Sequence, residues 1–379
     1  MTLDILHCHS TFALGGKEAR AVVLMNAFAG AARHTILSAV PGAFGARDAI
    51  APGIDARFPS EAPSLTGRPS VARYRGLAEY MRGFDLILTY NWGAMDTVMA
   101  KRIFASSLPP LVHHEDGFNA DESARLKTER TWMRRIAFPA VNKIVVPSST
   151  LEDIAQRIWR QPQHRIARIP NGIATRNYAA KPKPQALKAL RRKPGEIIVG
   201  TIAGLRPVKN LRRLVRATLS IPGTRLVIVG EGPERDALLA EARSIGAADR
   251  LLLAGFLAQP HRYIGLFDVF ALSSDSEQFP IALIEAMAAG LPVAATDVGD
   301  VRAMLPADQG PFVTPRDDFA LAGALRQLVA DPALRLRLGQ ANRWLASTDY
   351  DEGVMIQRYA QLYGEAIGRE IAYLGQSAL

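Results

Sequence analysis

Twice along this chain, short runs of Val, Ile and Leu alternate with stretches whose apolar residues recur at helical spacing. That rhythm constrains the fold most. A strand joined to the next by a helix returns parallel, so the sequence must build parallel sheets covered by helices. In the first series "LDILHCH" (3–9), "HTILSAV" (34–40), "FDLILTY" (84–90), "PLVHH" (110–114) and "KIVVPS" (143–148) read as strands, with a helix over 16–32. In the second, "EIIVGTIAG", "TRLVIVG", "RLLLAGF", "VFALSS" and "LPVAATD" read as strands, with helices over 209–219, 234–245, 261–266 and 280–289. Between them "AAKPKPQALKALRRKPGE" (179–196) carries three prolines and six Lys or Arg against one Glu, the composition of a solvated connection. The expected organisation is therefore α/β: Rossmann-like domains over 1–178 and 197–348, a basic linker over 179–196, and an amphipathic helical tail over 349–379. Residues 42–70, rich in Gly, Pro, Ala and Ser, read as a long loop. Open parallel sheets bind ligands beyond the carboxyl ends of their strands, so the residues to weigh are those just after each strand.

Bulk properties narrow the classes. With 48% hydrophobic and 22% charged residues in 379, a large core can form and wholesale disorder is excluded. The single cysteine, Cys8, rules out an intrachain disulfide and a cysteine zinc cluster. No signal peptide is expected from "MTLDILHCHSTFALGG", and no apolar run reaches the roughly 20 residues that span a bilayer. The expected location is cytoplasmic. A net charge of +10 admits a phosphorylated ligand, an anionic membrane face or nucleic acid as partner.

The chemistry concentrates in "SSDSEQFPIALIEAMAAGLPVAATDVG" (273–299). Pro280 suits the first position of a helix, and Gly290 ends it. Glu277 then lies just outside the helix N-terminus, where free N–H groups and the helix dipole attract an anion. Glu285 lies inside an otherwise apolar helix, where an unpaired carboxylate is costly. A carboxylate accepts two hydrogen bonds from a vicinal diol, so one Glu suits a sugar's hydroxyls, the other a ribose, and the intervening amides a phosphate. The plain alternative is an N-terminal acid complementing the dipole plus an exposed helix Glu.

These residues closely resemble the E-x(7)-E segment of retaining family 4 glycosyltransferases of the GT-B fold, and matching segments follow in order. "GGKE" (15–18) looks like the family's N-terminal glycine loop, "VHHEDG" (112–117) its acceptor-side His segment, and "IPNGI" (169–173) the end of its first domain. "GLRPVKN" (204–210) looks like its phosphate-binding segment, while "LVIVGEGPER" (226–235) and "LLLAGFLAQP" (251–260) look like its nucleobase-side loops. The resemblance implies two domains facing across a cleft, with the last helix crossing back to the first. It implies a metal-independent enzyme without a cofactor, moving a sugar from a nucleotide-sugar to the hydroxyl of an acceptor saccharide or lipid-linked saccharide with retention. Glu285 would hold the ribose and Glu277 the donor sugar. Lys209 would stabilise the leaving diphosphate. Phe279, Pro280 and Ile281 would line sugar and phosphate, Gly15 and Gly16 would let backbone approach the phosphates, and His113 would sit near donor sugar and acceptor. The family commonly has Arg where this chain has Gly204, so Arg206 is the candidate for the second phosphate contact; Gln278 and Asp300 stand where glycines are common.

Other candidates are weaker. A buried structural role suits His7, and His9 ends the same strand. His113, His114 and Glu115 lack a metal-ligand spacing such as H-E-x-x-H, so no metal is expected. Asn91 and Trp92 end a strand and could line an acceptor site or pack. The helix over 124–138 mixes Arg125, Lys127, Arg130, Arg134 and Arg135 with Trp132, Met133, Ile136 and Phe138, a composition that can rest on an anionic membrane surface or on its own sheet. No G-x-G-x-x-G follows the first strand, which disfavours a dinucleotide oxidoreductase. The carboxylate pair disfavours a nucleic-acid binder. A non-catalytic nucleotide-sugar-binding subunit or another GT-B enzyme, such as a nucleotide-sugar epimerase, remains the rival reading.

Overall fold

The computed structural model describes residues 2–105, 108–118, 122 and 126–375. They form two compact units: residues up to Asn171 together with those from Gly353 onward, and Gly172–Glu352. The first holds β1 (Leu3–His9), β2 (Ala32–Ser38), β3 (Ala56–Arg57), β4 (Leu86–Tyr90), β5 (Leu111–His114), β6 (Lys143–Val146) and β7 (Ile166–Arg168). Their order is β3-β2-β1-β4-β5-β6-β7, with every pair parallel. Helices cover both faces, which is why β4 and β5 are buried along their whole length and read as apolar runs rather than alternating ones.

The second unit holds β8 (Ile197–Ile202), β9 (Thr224–Val229), β10 (Leu251–Leu253), β11 (Val269–Leu272), β12 (Val293–Thr296) and β13 (Val313–Thr314). The order is β10-β9-β8-β11-β12-β13, again all parallel. The order reverses between β8 and β11. Loops leaving those two strands diverge to opposite faces, and the crevice between them is where such a sheet takes a ligand. Gly200 in β8 makes this packing possible: a Cβ there would lie 2.1 Å from the Phe267 ring.

The tail forms a helix over Glu352–Ile367, after a helix over Pro332–Asp349 that belongs to the second unit. Its Met355, Tyr359 and Tyr363 join Ile5, Met25 and Leu88 in one apolar cluster of the first unit. Burial of such side chains contributes about 1.5–3 kcal/mol each, so the tail is part of that core.

Several details differ from the sequence expectation. The 42–70 stretch holds a 3-10 turn over Gly45–Ala49 and the edge strand β3, and it buries Leu65. The linker is not wholly solvated, because Leu187 enters the core of the second unit and Glu196 pairs with Arg225 at 3.0 Å. Residues 261–266 form two 3-10 turns, Pro260–Arg262 and Ile264–Leu266, rather than one α-helix. The 124–138 pattern forms a helix over Thr128–Ala137; Ala124 and Arg125 lie outside the described residues. Pro280 stands one residue before the helix it was expected to begin, at φ −70° and ψ 111°, because that helix spans Ile281–Ala288.

Candidate functional site

The two loops at the β8–β11 reversal carry the residues that the sequence singles out. After β8 the chain makes a 3-10 turn over Pro207–Lys209 and reaches Asn210 in a left-handed conformation, φ 41° and ψ 50°. Asn210 caps the helix Leu211–Leu219: its side chain accepts from the Arg213 amide. After β11, residues 273–280 lead to the helix Ile281–Ala288, whose first-turn amides have no intrahelical acceptor. The loops bring Lys209 and Glu277 together, with Nζ 2.5 Å from Oε1. The Ser274 hydroxyl donates to the same oxygen at 2.6 Å. The Lys209 and Glu277 side chains are 17% and 11% exposed, so the pair is shielded from water without being sealed off. Gly299 supports it from behind. It sits at φ +53°, and a Cβ there would come within 2.1 Å of the Glu277 carbonyl oxygen.

Arg206 is exposed, and its guanidinium folds over Gly204: a Cβ at 204 would lie 3.4 Å from Arg206 Nε. A side chain at 204 would compete for that space. Phe279 packs edge-on to Tyr350, with centroids 5.8 Å apart, and Ile281 begins the helix half-buried. About one turn on, partly buried Glu285 accepts a hydrogen bond from the Tyr178 hydroxyl at 3.0 Å. Desolvation raises the Glu285 pKa from 4.5 to about 7, against the opposing effect of that hydrogen bond. Beyond β9 and β10, Glu231, Gly232, Arg235, Leu253, Ala254 and Gly255 line a cavity of about 460 Å³.

In the first unit Gly15 is extended, φ −153° and ψ 178°, just before the helix Gly16–Phe28. Here its missing side chain leaves space for the buried Glu18 carboxylate, whose Oε2 would lie 2.9 Å from a Cβ at 15. Glu18 pairs with Lys17, whose pKa burial lowers to about 8.

His113 requires correction as a ligand contact. It is fully enclosed on β5, with Thr89 Oγ1 2.8 Å from Nδ1 and Glu115 Oε2 3.5 Å from Nε2. Glu115 is equally buried and meets Arg134 Nε at 3.1 Å. Burial acts to raise the Glu115 pKa, but the Arg134 guanidinium and His113 hold it below the ordinary carboxylate range. The trio braces the fold, and a ring without exposed atoms touches no ligand. His7 is structural as expected, between the Tyr90 hydroxyl (3.2 Å) and His34 (3.0 Å). Asn91 accepts from the Asp116 amide at 2.7 Å, and Trp92 packs under Arg130 and Arg134.

Sequence reasoning missed Tyr178, which it left beside the linker, and the bonds of Ser274, Asp275, Asn210 and Arg213. Only Asn210 carried a legible signal, a capping residue ahead of a helical run. Among the described residues, no group of three or more His, Cys, Asp or Glu is arranged to hold a metal, and no helix is long and apolar enough to cross a membrane.

Comparison with known proteins finds a family match for each half of the chain. Residues 14–177 match Glycosyltransferase Family 4, and residues 182–344 match Glycosyl transferases group 1. A glycogen synthase of Mycobacterium tuberculosis is 28% identical over 253 residues, 64% of this chain and 57% of that protein. The lipopolysaccharide core biosynthesis glycosyltransferase LpsD of Rhizobium meliloti is 28% identical over 193 residues, 50% of this chain and 56% of that protein. The chain thus spans a little over half the length of these curated relatives. The crystal structure of Anabaena HepE in complex with UDP superposes with a TM-score of 0.77 at 20% identity, covering 96% of this chain and 100% of that one. That likeness shows the fold.

Proposed function

The chain belongs to the glycosyltransferases, with a Family 4 half and a group 1 half on the GT-B fold, and from that premise we propose that it moves a sugar from a nucleotide-sugar to an acceptor hydroxyl with retention of configuration. The observation that carries this reading is the meeting of Lys209 and Glu277 at the β8–β11 reversal, with partly buried Glu285 on the helix that follows Glu277. A cation beside a carboxylate at a ligand crevice suits a diphosphate bonded to a polyol. Glu285 takes the ribose hydroxyls. The cavity bounded by Glu231, Gly232 and Gly255 suits the base. The amides at Phe279 and Ile281, with the helix dipole, receive the diphosphate.

In the chemical step the bond between the sugar and the diphosphate oxygen breaks. Lys209 and Arg206 stabilise the charge gathering on that oxygen, which acts only as the charge develops and so lowers the barrier. Glu277 orients the sugar through its hydroxyls. The acceptor oxygen bonds to the anomeric carbon on the face the diphosphate leaves, and the leaving oxygen takes the acceptor's proton, so no protein base is required. No metal or cofactor enters the scheme.

The acceptor is a saccharide, free or lipid-linked, in polysaccharide or glycolipid assembly. On the helix Thr128–Ala137, Trp132 and Ile136 are 55% and 52% exposed, and Arg135 lies 4.9 Å from the Trp132 ring centroid. An exposed aromatic beside a cation suits the anionic cytoplasmic face of a membrane, where a lipid-linked acceptor would be met.

The test is a thermal-shift panel of nucleoside diphosphates and nucleotide-sugars, with NAD as control and donor hydrolysis followed in the same samples. A ligand at about 100 times its Kd adds about 2.7 kcal/mol of stability. Stabilisation by one nucleotide family with slow hydrolysis of one donor is expected. Stabilisation without turnover, even with acceptor extracts, would make the chain a binding subunit, and no response to any nucleotide would overturn the reading.

A further inference from the structure

We propose that Arg213, Asp275 and Asn210 form a positioning cluster that locks the loop after β8 to the loop after β11 and so fixes Lys209 against Glu277. The proposal deepens the transferase reading, and rests on it for what Lys209 and Glu277 do.

The two strands pair only at Val199–Val269 and Gly200–Phe270, so the sheet ladder ends before either loop begins. Beyond it a separate set of bonds takes over. The Ser273 hydroxyl donates to the Lys209 carbonyl at 3.0 Å, and the Asp275 amide donates to the Val208 carbonyl at 2.8 Å. Asn210 Nδ2 donates to both Asp275 carboxylate oxygens, at 3.1 and 3.3 Å. Arg213 Nη1 donates to Asp275 Oδ1 at 2.8 Å and to the Ser273 carbonyl at 2.9 Å. Lys209 is therefore held at its own carbonyl and through the residues on either side. Glu277 is held through residues two and four positions before it.

Two features mark this as more than a surface ion pair. Arg213 is 8% exposed, and a cation that buried is costly unless it is paired; besides Asp275 it has Asp318, whose Oδ1 lies 3.4 Å from Nε. Asn210 takes the left-handed conformation that few residues besides Gly and Asn adopt readily, and from it caps one helix while reaching Asp275. Lys209 is a point charge on a flexible stem, so its effect on a leaving oxygen depends on where its backbone is anchored.

The test is a double-mutant cycle of Lys209→Ala and Glu277→Ala, read by unfolding of the full chain without ligand, in the wild type and in Asp275→Asn and Arg213→Met backgrounds. Asp275 is 40% exposed, so its replacement leaves a folded chain even where Arg213→Met does not. The Lys209–Glu277 coupling energy should fall by half or more in each background that folds. Unchanged coupling in Asp275→Asn overturns the proposal whether or not any donor is turned over. With a donor found by the panel, kcat at saturation should fall about tenfold while donor Kd moves less than about threefold, and Arg213→Lys should recover part of the loss. Equal losses in kcat and affinity would mean that the cluster only supports the fold. A panel without any donor would defeat the transferase reading and leave the coupling measurement to decide this one.

Discussion

Replacing Glu285 by Gln should stabilise the protein at alkaline pH while abolishing its nucleotide response. Burial raises the Glu285 pKa from 4.5 to about 7. Its folded state therefore holds a proton that the unfolded chain has already released between those values. The resulting stabilisation is complete below pH 4.5, declines as pH rises, and is gone above pH 7. The shift corresponds to about 3 kcal/mol at most. Glu285 retains some exposure, so water screens part of this and about 2 kcal/mol is the expected size. Glutamine keeps the shape and still accepts from Tyr178, but it never ionises. Relative to wild type, Glu285→Gln should gain about 2 kcal/mol between pH 5 and pH 8, or about 4–8 °C in Tm for a unit of this size. Calorimetric scans of both proteins at the two pH values provide the assay. Two units are present, so each transition is read separately. Comparing the variant's effect at two pH values cancels any fixed change in packing. An effect equal at both, or a greater loss at pH 8, would refute the claim that burial of this carboxylate limits stability.

The same ionisation gives the nucleotide response its own pH dependence: affinity should rise with pH through about 7 as Glu285 charges, and flat affinity from pH 5 to 8 would show that another group holds the ribose. Lys209→Ala should lower turnover by about 10²-fold while moving donor affinity far less, measured as kcat against donor Kd; equal losses would mean that Lys209 binds ground and transition states alike. Arg206→Ala should weaken nucleoside diphosphate binding, and adding Gly204→Arg should restore part of it, because the replaced side chain frees the space over residue 204; isothermal titration would show no rescue if Arg206 lies outside the phosphate site. Turnover in excess EDTA should match turnover in buffer, and loss on chelation would replace the metal-independent scheme.

The parallel α/β rhythm and the principal strands were legible because strands covered on both faces leave continuous apolar runs. The edges were not. β3, β7 and β13 have only two or three residues, too few for a period to show. Of the site, the sequence alone determined which side chains stand just after strands: Lys209, Glu277 and, on the next helix, Glu285. Local spacing fixes that, since loop and helix N-terminus follow the strand in order. Only the tertiary structure decided which of them meet. The separation of 68 positions from Lys209 to Glu277 is spanned because β8 and β11 lie side by side at the reversal of strand order, a neighbour relation no local pattern encodes. Other long-range neighbour relations put Tyr178 on Glu285 across 107 positions and turn His113, a plausible ligand contact by sequence, into an enclosed brace. Burial and partnership depend on what the rest of the chain brings near, and those are the properties that set the charge on a carboxylate or the reach of a histidine.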